Sequence, residues 1–146
     1  MIERLAAAYA AAPHTEPSAA ELSALNAWID NQFLAIPCPV RFTVGEVSPE
    51  LMLDIYYASG VLLISAAHND SPILAPMANL KFRAAHDWHH VTAQAGFDLA
   101  GEVKAFKAAA SSAPMVIRWL LHSEIVLQAA AAIANGHFQI QKIVRL

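Results

Sequence analysis

Signals that begin and end helices recur along this chain and constrain its fold more than any other feature. Ser18 and Glu21 have the spacing of a capping box, in which each side chain accepts a hydrogen bond from the other residue's backbone N–H. Ser48-Pro49 places an N-cap serine before a proline suited to the first helical position, and Asp98 can cap the helix that follows it. Between such signals, apolar residues recur every three or four positions. The pattern predicts helices over 2–11, after Ser18 until shortly before Pro37, and over 49–65, 77–95, 99–110 and about 115–135.

The segment 40–44 has a different pattern, because apolar and polar residues alternate in it as they do in a half-buried strand. The last residues, 138–146, are rich in β-branched side chains and are expected to pair with 40–44 as a small two-stranded ribbon. We find no repeat, linker or change of composition that divides residues 1–146. The sequence therefore predicts a single, mainly α domain, an antiparallel bundle of about five helices.

The chain has too few charges to cover its own surface. Hydrophobic residues make up 57% of its 146 residues and charged residues only 14%, against about 25% charged in soluble domains. We expect part of the apolar surface to lie in a homo-oligomer interface, with a dimer favoured. The longest uncharged apolar run, 55–67, is shorter than the roughly 20 residues that span a bilayer, so no membrane segment is expected.

Charge and cysteine content restrict partners and compartment further. The net charge is −3 and no run of basic residues accompanies it, a balance that argues against nucleic acid and anionic membranes as partners. Cys38 is the single cysteine, so an internal disulfide is excluded, and we expect a cytoplasmic protein.

The stretch His86-Asp87-Trp88-His89-His90 concentrates three of the seven histidines in five residues. On a helix, His86 and His90 lie one turn apart on the same face. Two imidazoles in that arrangement are typical ligands of a transition metal. We therefore predict His86 and His90 as metal ligands, with His89 in reserve and Asp87 as a catalytic or ligand-orienting acid.

Two carboxylates farther along are candidates to complete the site. Glu124 lies within an apolar stripe of the last helix, where a carboxylate is costly unless it is paired, protonated or bound to a metal. It is our predicted third metal ligand. Glu102, at the edge of the apolar stripe of 99–110, is a second carboxylate with a predicted catalytic role. Two histidines and one carboxylate leave coordination positions open on Zn or Fe(II), as catalysis requires.

Three known motifs bear on this interpretation. His86-Asp87-x-x-His90 resembles the zincin motif H-E-x-x-H, with an Asp one methylene shorter in the position of the general base; the resemblance implies a downstream Glu such as Glu124 as third ligand. The Glu-x-x-His pairs of di-iron bundles are absent. The His86-Asp87 dipeptide also resembles that of HD-type phosphohydrolases, for which His68 and Asp98 would have to complete the set.

The segment from Phe82 to Gln128 is similar to a group of short, uncharacterised helical proteins of bacteria and their phages. The positions that carry the resemblance are His86-Asp87-x-x-His90, Phe97, Gly101-Glu102 and the helix from Ser123-Glu124 to Gln128. The resemblance implies that these positions belong to one functional set, but it does not indicate which reaction they would catalyse.

Two hypotheses from different classes follow. The first is a metal-dependent hydrolase or oxidase that acts on a small molecule or peptide through a His86/His90/Glu124 pocket. The second is a non-catalytic helical interaction protein of phage descent, in which these residues form a buried hydrogen-bond network and Glu102 is a first-turn residue favoured by the helix dipole. The first predicts a bound metal, and the second predicts none.

Overall fold

The computed structural model describes all 146 residues and is mainly helical, with a small two-stranded sheet. The helices are α1 (Ile2–Ala11), α2 (Ala19–Leu34), α3 (Pro49–Ser59), α4 (Pro76–Ala93), α5 (Leu99–Ser112) and α6 (Met115–Asn135). The strands are β1 (Val40–Thr43) and β2 (Leu62–Ser65). The predicted mainly α fold is confirmed. The chain has six helices where about five were expected, and its two strands belong to a strand–helix–strand unit and not to a ribbon.

The predicted helix starts are confirmed at the level of hydrogen bonds. Ser18 and Glu21 form both halves of the capping box that begins α2. The Ser48 side chain accepts from the Leu51 N–H at the start of α3, and the Asp98 carboxylate accepts from the Gly101 N–H at the start of α5. These caps satisfy backbone donors that have no partner within their own helix.

The helix predicted over 49–65 is wrong beyond Ser59. Gly60 adopts a left-handed conformation with φ of 71°, which ends α3. The residues that follow form β2, in which Leu62 and Ile64 are buried and the alternate positions are only half-buried. Burial that alternates with a period of two is typical of a strand. The sequence does not show this alternation, because all residues of β2 except Ser65 are apolar and such a run suits a buried helix or a buried strand.

The predicted pairing of 40–44 with 138–146 is also wrong. β1 pairs instead with β2, in parallel, in a register that runs from Val40 opposite Leu62 to Thr43 opposite Ser65. Parallel strands need a crossover connection, and α3 supplies it. Residues 138–146 form no strand; the N–H of Val144 donates to Ser123 Oγ at 2.9 Å. Side chains of the helices, such as Ser123 of α6 and Tyr9 of α1, thus accept hydrogen bonds from the backbone N–H groups of this segment, which a ribbon would have paired with another strand.

α4 lies between two hydrophobic clusters and so determines where its polar residues point. The larger cluster joins α2, α4, α5 and α6 around residues such as Ile29, Phe82 and Leu121. The second packs Ala84 and Val91 of α4 against the sheet. With apolar partners on two sides, α4 directs His86 and His90 towards Glu102 of α5 and His89 towards Gln32 of α2.

α6 is irregular and apolar. It begins with a 3₁₀ turn, Met115–Ile117, and contains a π-helical turn, His122–Leu127. By length and composition alone α6 could cross a membrane, but 56% of its most apolar window is buried within the fold. Core helices of soluble proteins share that burial.

Candidate metal centre

The two histidines predicted as ligands are brought together by α4. They lie one turn apart, and their Nε2 atoms are 3.2 Å from each other. The two rings are nearly perpendicular, with centroids 4.6 Å apart. The helix prediction for this segment was therefore sufficient to place the pair.

Glu102, in the first turn of α5, completes a group of three. Its Oε2 lies 3.3 Å from His86 Nε2 and 3.4 Å from His90 Nε2. With the 3.2 Å between the nitrogens, the three atoms form a nearly equilateral triangle. Glu102 was predicted as a catalytic acid; the structure places it where a metal ligand would lie.

The size of this triangle suits a transition metal. Zinc lies about 2.0–2.1 Å from histidine nitrogen and carboxylate oxygen, which makes the edge of a tetrahedral site about 3.3 Å. All three distances in the structure fall within 0.1 Å of that value. Three protein ligands leave the fourth tetrahedral position open, as in catalytic zinc sites.

The protonation of His90 is set by its surroundings. Its Nδ1 lies 3.2 Å from the carbonyl oxygen of Ala95, which can only accept, so Nδ1 carries the hydrogen. The neutral ring then presents the lone pair of Nε2 to the triangle, in the manner of metal-binding histidines whose second nitrogen donates to a carbonyl. Phe97 stacks on the same ring with centroids 4.4 Å apart and restricts its rotation.

His86 is held less firmly. Phe82 stacks parallel to its ring at a centroid distance of 6.4 Å. Its Nδ1 is buried and has no hydrogen-bond partner. The side chain is 22% exposed, whereas that of His90 is fully buried and that of Glu102 is 12% exposed. The triangle therefore meets solvent on the side of His86 and Glu102.

Charge within the triangle shifts two pKa values in opposite directions. Burial lowers the pKa of His90, but the hydrogen bond and negative charge of Glu102 outweigh that effect and raise the pKa overall. Burial raises the pKa of Glu102, but hydrogen bonds and charge from both histidines lower it to about 2. Glu102 is consequently an anion at any physiological pH.

Asp87 lies beside the triangle without belonging to it. Burial raises the pKa of its carboxyl group, while the charges of His86 and His90 act in the opposite direction. Glu102 repels it and Arg83 attracts it. Asp87 is thus coupled to the two histidines through charge alone, with no hydrogen bond to either, and its predicted catalytic role stays a prediction.

Glu124, the predicted third ligand, is not in the group of ligand atoms around His86 and His90. It lies in the π turn of α6 near Tyr9 of α1, whose pKa is raised mainly by burial and to a smaller extent by the charge of Glu124. Its Oε1 is buried and unpartnered, as is Nε2 of Gln128 one turn later. Burial raises the pKa of Glu124 to about 7.

The remaining polar residues singled out from the sequence also lie elsewhere. His89 points to α2, where its Nε2 lies 3.0 Å from Gln32 Oε1 and its ring stacks on Trp28. Burial lowers the pKa of His89 to about 4 and keeps it neutral. Arg83 of α4 also points away from the triangle and donates to the carbonyls of Ser65 and Ala67, at and just after the end of β2.

The comparisons with known proteins add no assignment. No protein-family model, curated protein or solved structure matches the chain. The resemblance to short bacterial and phage proteins stays a prediction.

Proposed function

We propose that this protein binds a divalent transition metal, zinc or iron, through His86 Nε2, His90 Nε2 and Glu102 Oε2. The observation that supports the proposal is the ligand triangle, with edges of 3.2, 3.3 and 3.4 Å. The donor set agrees with the geometry, because two imidazoles and one carboxylate suit zinc and Fe(II).

We further propose that the site acts as a hydrolase on a small molecule or peptide. A metal with one open position lowers the pKa of a bound water to about 7 and so supplies hydroxide at neutral pH. The solvent-facing side, at His86 and Glu102, is where water and substrate would approach. Asp87, which is close enough for both histidines to act on its pKa, is our candidate proton acceptor. An oxidase would use the same ligands with iron, and the identity of the metal distinguishes the two.

Elemental analysis of the purified, untagged protein tests the proposal. The wild type is compared with the double variant His86→Ala/His90→Ala and with His137→Ala, whose histidine is exposed and lies outside the centre. We expect nearly one metal ion per chain in the wild type and in His137→Ala, and none in the double variant. Absence of metal from the wild type after incubation with Zn²⁺ and, anaerobically, with Fe²⁺ would overturn the proposal.

Melting with and without a chelator provides a second measurement. A ligand that binds only the folded state raises the melting temperature. Because the ligands belong to α4 and α5, removal of the metal is expected to lower the melting temperature of the wild type and to leave that of the double variant unchanged.

The alternative is a non-catalytic interaction protein in which the triangle holds a proton. It is favoured by the ion pair that His90 and Glu102 can form without a metal. Exposed apolar side chains support the proposed dimer; Leu34 is 79% exposed, Tyr57 70% and Val44 92%. A metal-free protein that sediments as a dimer would favour this alternative.

A further inference from the structure

The turn between α4 and α5 contains an unusually close approach of two backbones. Gly101, in the first turn of α5, is buried against Gly96. A Cβ atom at position 101 would overlap the carbonyl carbon and oxygen of Gly96 and would lie 2.9 Å from its Cα. Backbone atoms cannot move aside as the end of a side chain can, so only glycine allows this contact.

The same contact lies between two of the three ligands of the triangle. Ala95, which precedes Gly96, supplies the carbonyl oxygen that fixes the His90 ring. Glu102, which follows Gly101, supplies Oε2. The separation of Gly96 and Gly101 therefore sets the distance between the support of His90 and the carboxylate that faces it.

We infer that Gly101 is a positioning residue of the metal centre, whose missing side chain brings Glu102 to within ligand distance of His86 and His90. The inference rests on the proposed function and adds a residue that touches no metal. Metal ligands must be held within a few tenths of an ångström of their preferred distances. A shift of α5 that admits one methyl group exceeds that tolerance.

The test compares Gly101→Ala with Gly96→Ala. The control adds the same methyl group on the other side of the contact, where its Cβ would meet only Asp98 Oδ1 at an ordinary 3.8 Å. Zn²⁺ affinity is measured by competition with a chromophoric chelator, and the Co²⁺-loaded proteins are compared by visible absorption. We expect Gly96→Ala to match the wild type and Gly101→Ala to bind Zn²⁺ about 10–100-fold more weakly, with an altered Co²⁺ spectrum.

The spectrum separates a positioning role from a merely structural one. If Gly101 serves only stability, Gly101→Ala melts earlier but keeps the wild-type Zn²⁺ affinity and Co²⁺ spectrum, and the inference is overturned. If the wild type itself binds neither ion, the proposed function has failed.

A second variant decides the case in which Gly101→Ala does not fold. Asp98→Ala removes the 2.8 Å bond from the Gly101 N–H to the Asp98 carboxylate and loosens the same turn without a clash. We expect a loss of Zn²⁺ affinity of up to about tenfold. An unchanged affinity would contradict the inference.

Discussion

Nε2 of His86 and Nε2 of His90 lie 3.2 Å apart, although the Nδ1 of His90 already carries a hydrogen for the Ala95 carbonyl. Only one of the two facing nitrogens can present a lone pair at that distance, so Nε2 of His86 must carry the hydrogen that it donates to Nε2 of His90. The unpartnered Nδ1 of His86 agrees with this tautomer. A metal ion would take the place of this hydrogen between the rings, and it would compete with any proton bound at His90.

Zinc affinity should therefore rise with pH. Glu102 raises the pKa of His90 above its usual 6.5, so a proton competes with the metal until the pH exceeds that raised value. Glu102 itself, with a pKa of about 2, stays ionised and adds no pH dependence near neutrality. Competition titrations across the neutral range should show Kd falling with pH and then levelling off.

The variant Glu102→Gln tests the cause of this pH dependence. It removes the charge that raises the pKa of His90, so the affinity, although weaker, should level off at a lower pH than in the wild type. An unshifted profile would show that Glu102 does not set the titration.

The two histidines should contribute unequally to metal affinity. His90 is fully buried and oriented by Ala95 and Phe97, whereas His86 is partly exposed and its Nδ1 has no partner. Water can take the place of a ligand more readily at the exposed position. His90→Ala should weaken Zn²⁺ binding about tenfold more than His86→Ala does, with His137→Ala as the unaffected control. Equal losses would contradict the distinction.

The sequence predicted elements well where a single local signal decides the structure. Ser18, Ser48 and Asp98 mark helix starts because their side chains bind nearby backbone N–H groups. The strand Leu62–Ser65 was missed because an apolar run before a connection fits a buried strand and a buried helix equally well. The strand pairing was missed because register and partner depend on tertiary contacts.

At the candidate site, the sequence placed His86 and His90 together, but it assigned the third ligand position to Glu124 and a catalytic role to Glu102, whereas the structure groups Glu102 with the two histidines. His86 and His90 follow from helical geometry alone. The choice between Glu102 and Glu124 depends on how α5 and α6 pack against α4, and burial in an apolar stripe favoured Glu124. Gly101 was a usable signal, because a glycine inside a helix lowers its stability and so points to a packing or functional reason for its presence.

The left-handed conformation that ends α3 can be tested by substituting alanine for Gly60. Gly60 has φ of 71° and open space around the position of a Cβ, so Gly60→Ala imposes a backbone cost without a clash. The free energy of unfolding should fall by about 1 kcal/mol. Gly45→Ala is the control, because that glycine has no positive φ and its Cβ would meet only Thr43 Oγ1 at 3.9 Å. Equal stability of the two variants in urea would mean that the left-handed turn is absent.

Glu124 should make the folded state less stable as the pH rises. Burial raises its pKa from the usual 4.5 to about 7, so between these values the folded protein keeps a proton that the unfolded chain releases. The resulting stabilisation is complete below pH 4.5 and is lost as the pH passes 7, a total of about 3 kcal/mol. Glu124→Gln cannot ionise and should not show this loss.

Urea unfolding of both proteins at pH 5 and about pH 8 measures the difference. We expect Glu124→Gln to gain stability relative to the wild type between the two pH values. The exposed Glu3→Gln on the neighbouring α1 should follow the wild type. If Glu124→Gln also follows the wild type, the carboxylate is ionised in the folded state at both pH values. That result would contradict the buried, unpartnered position of its Oε1 in the structure.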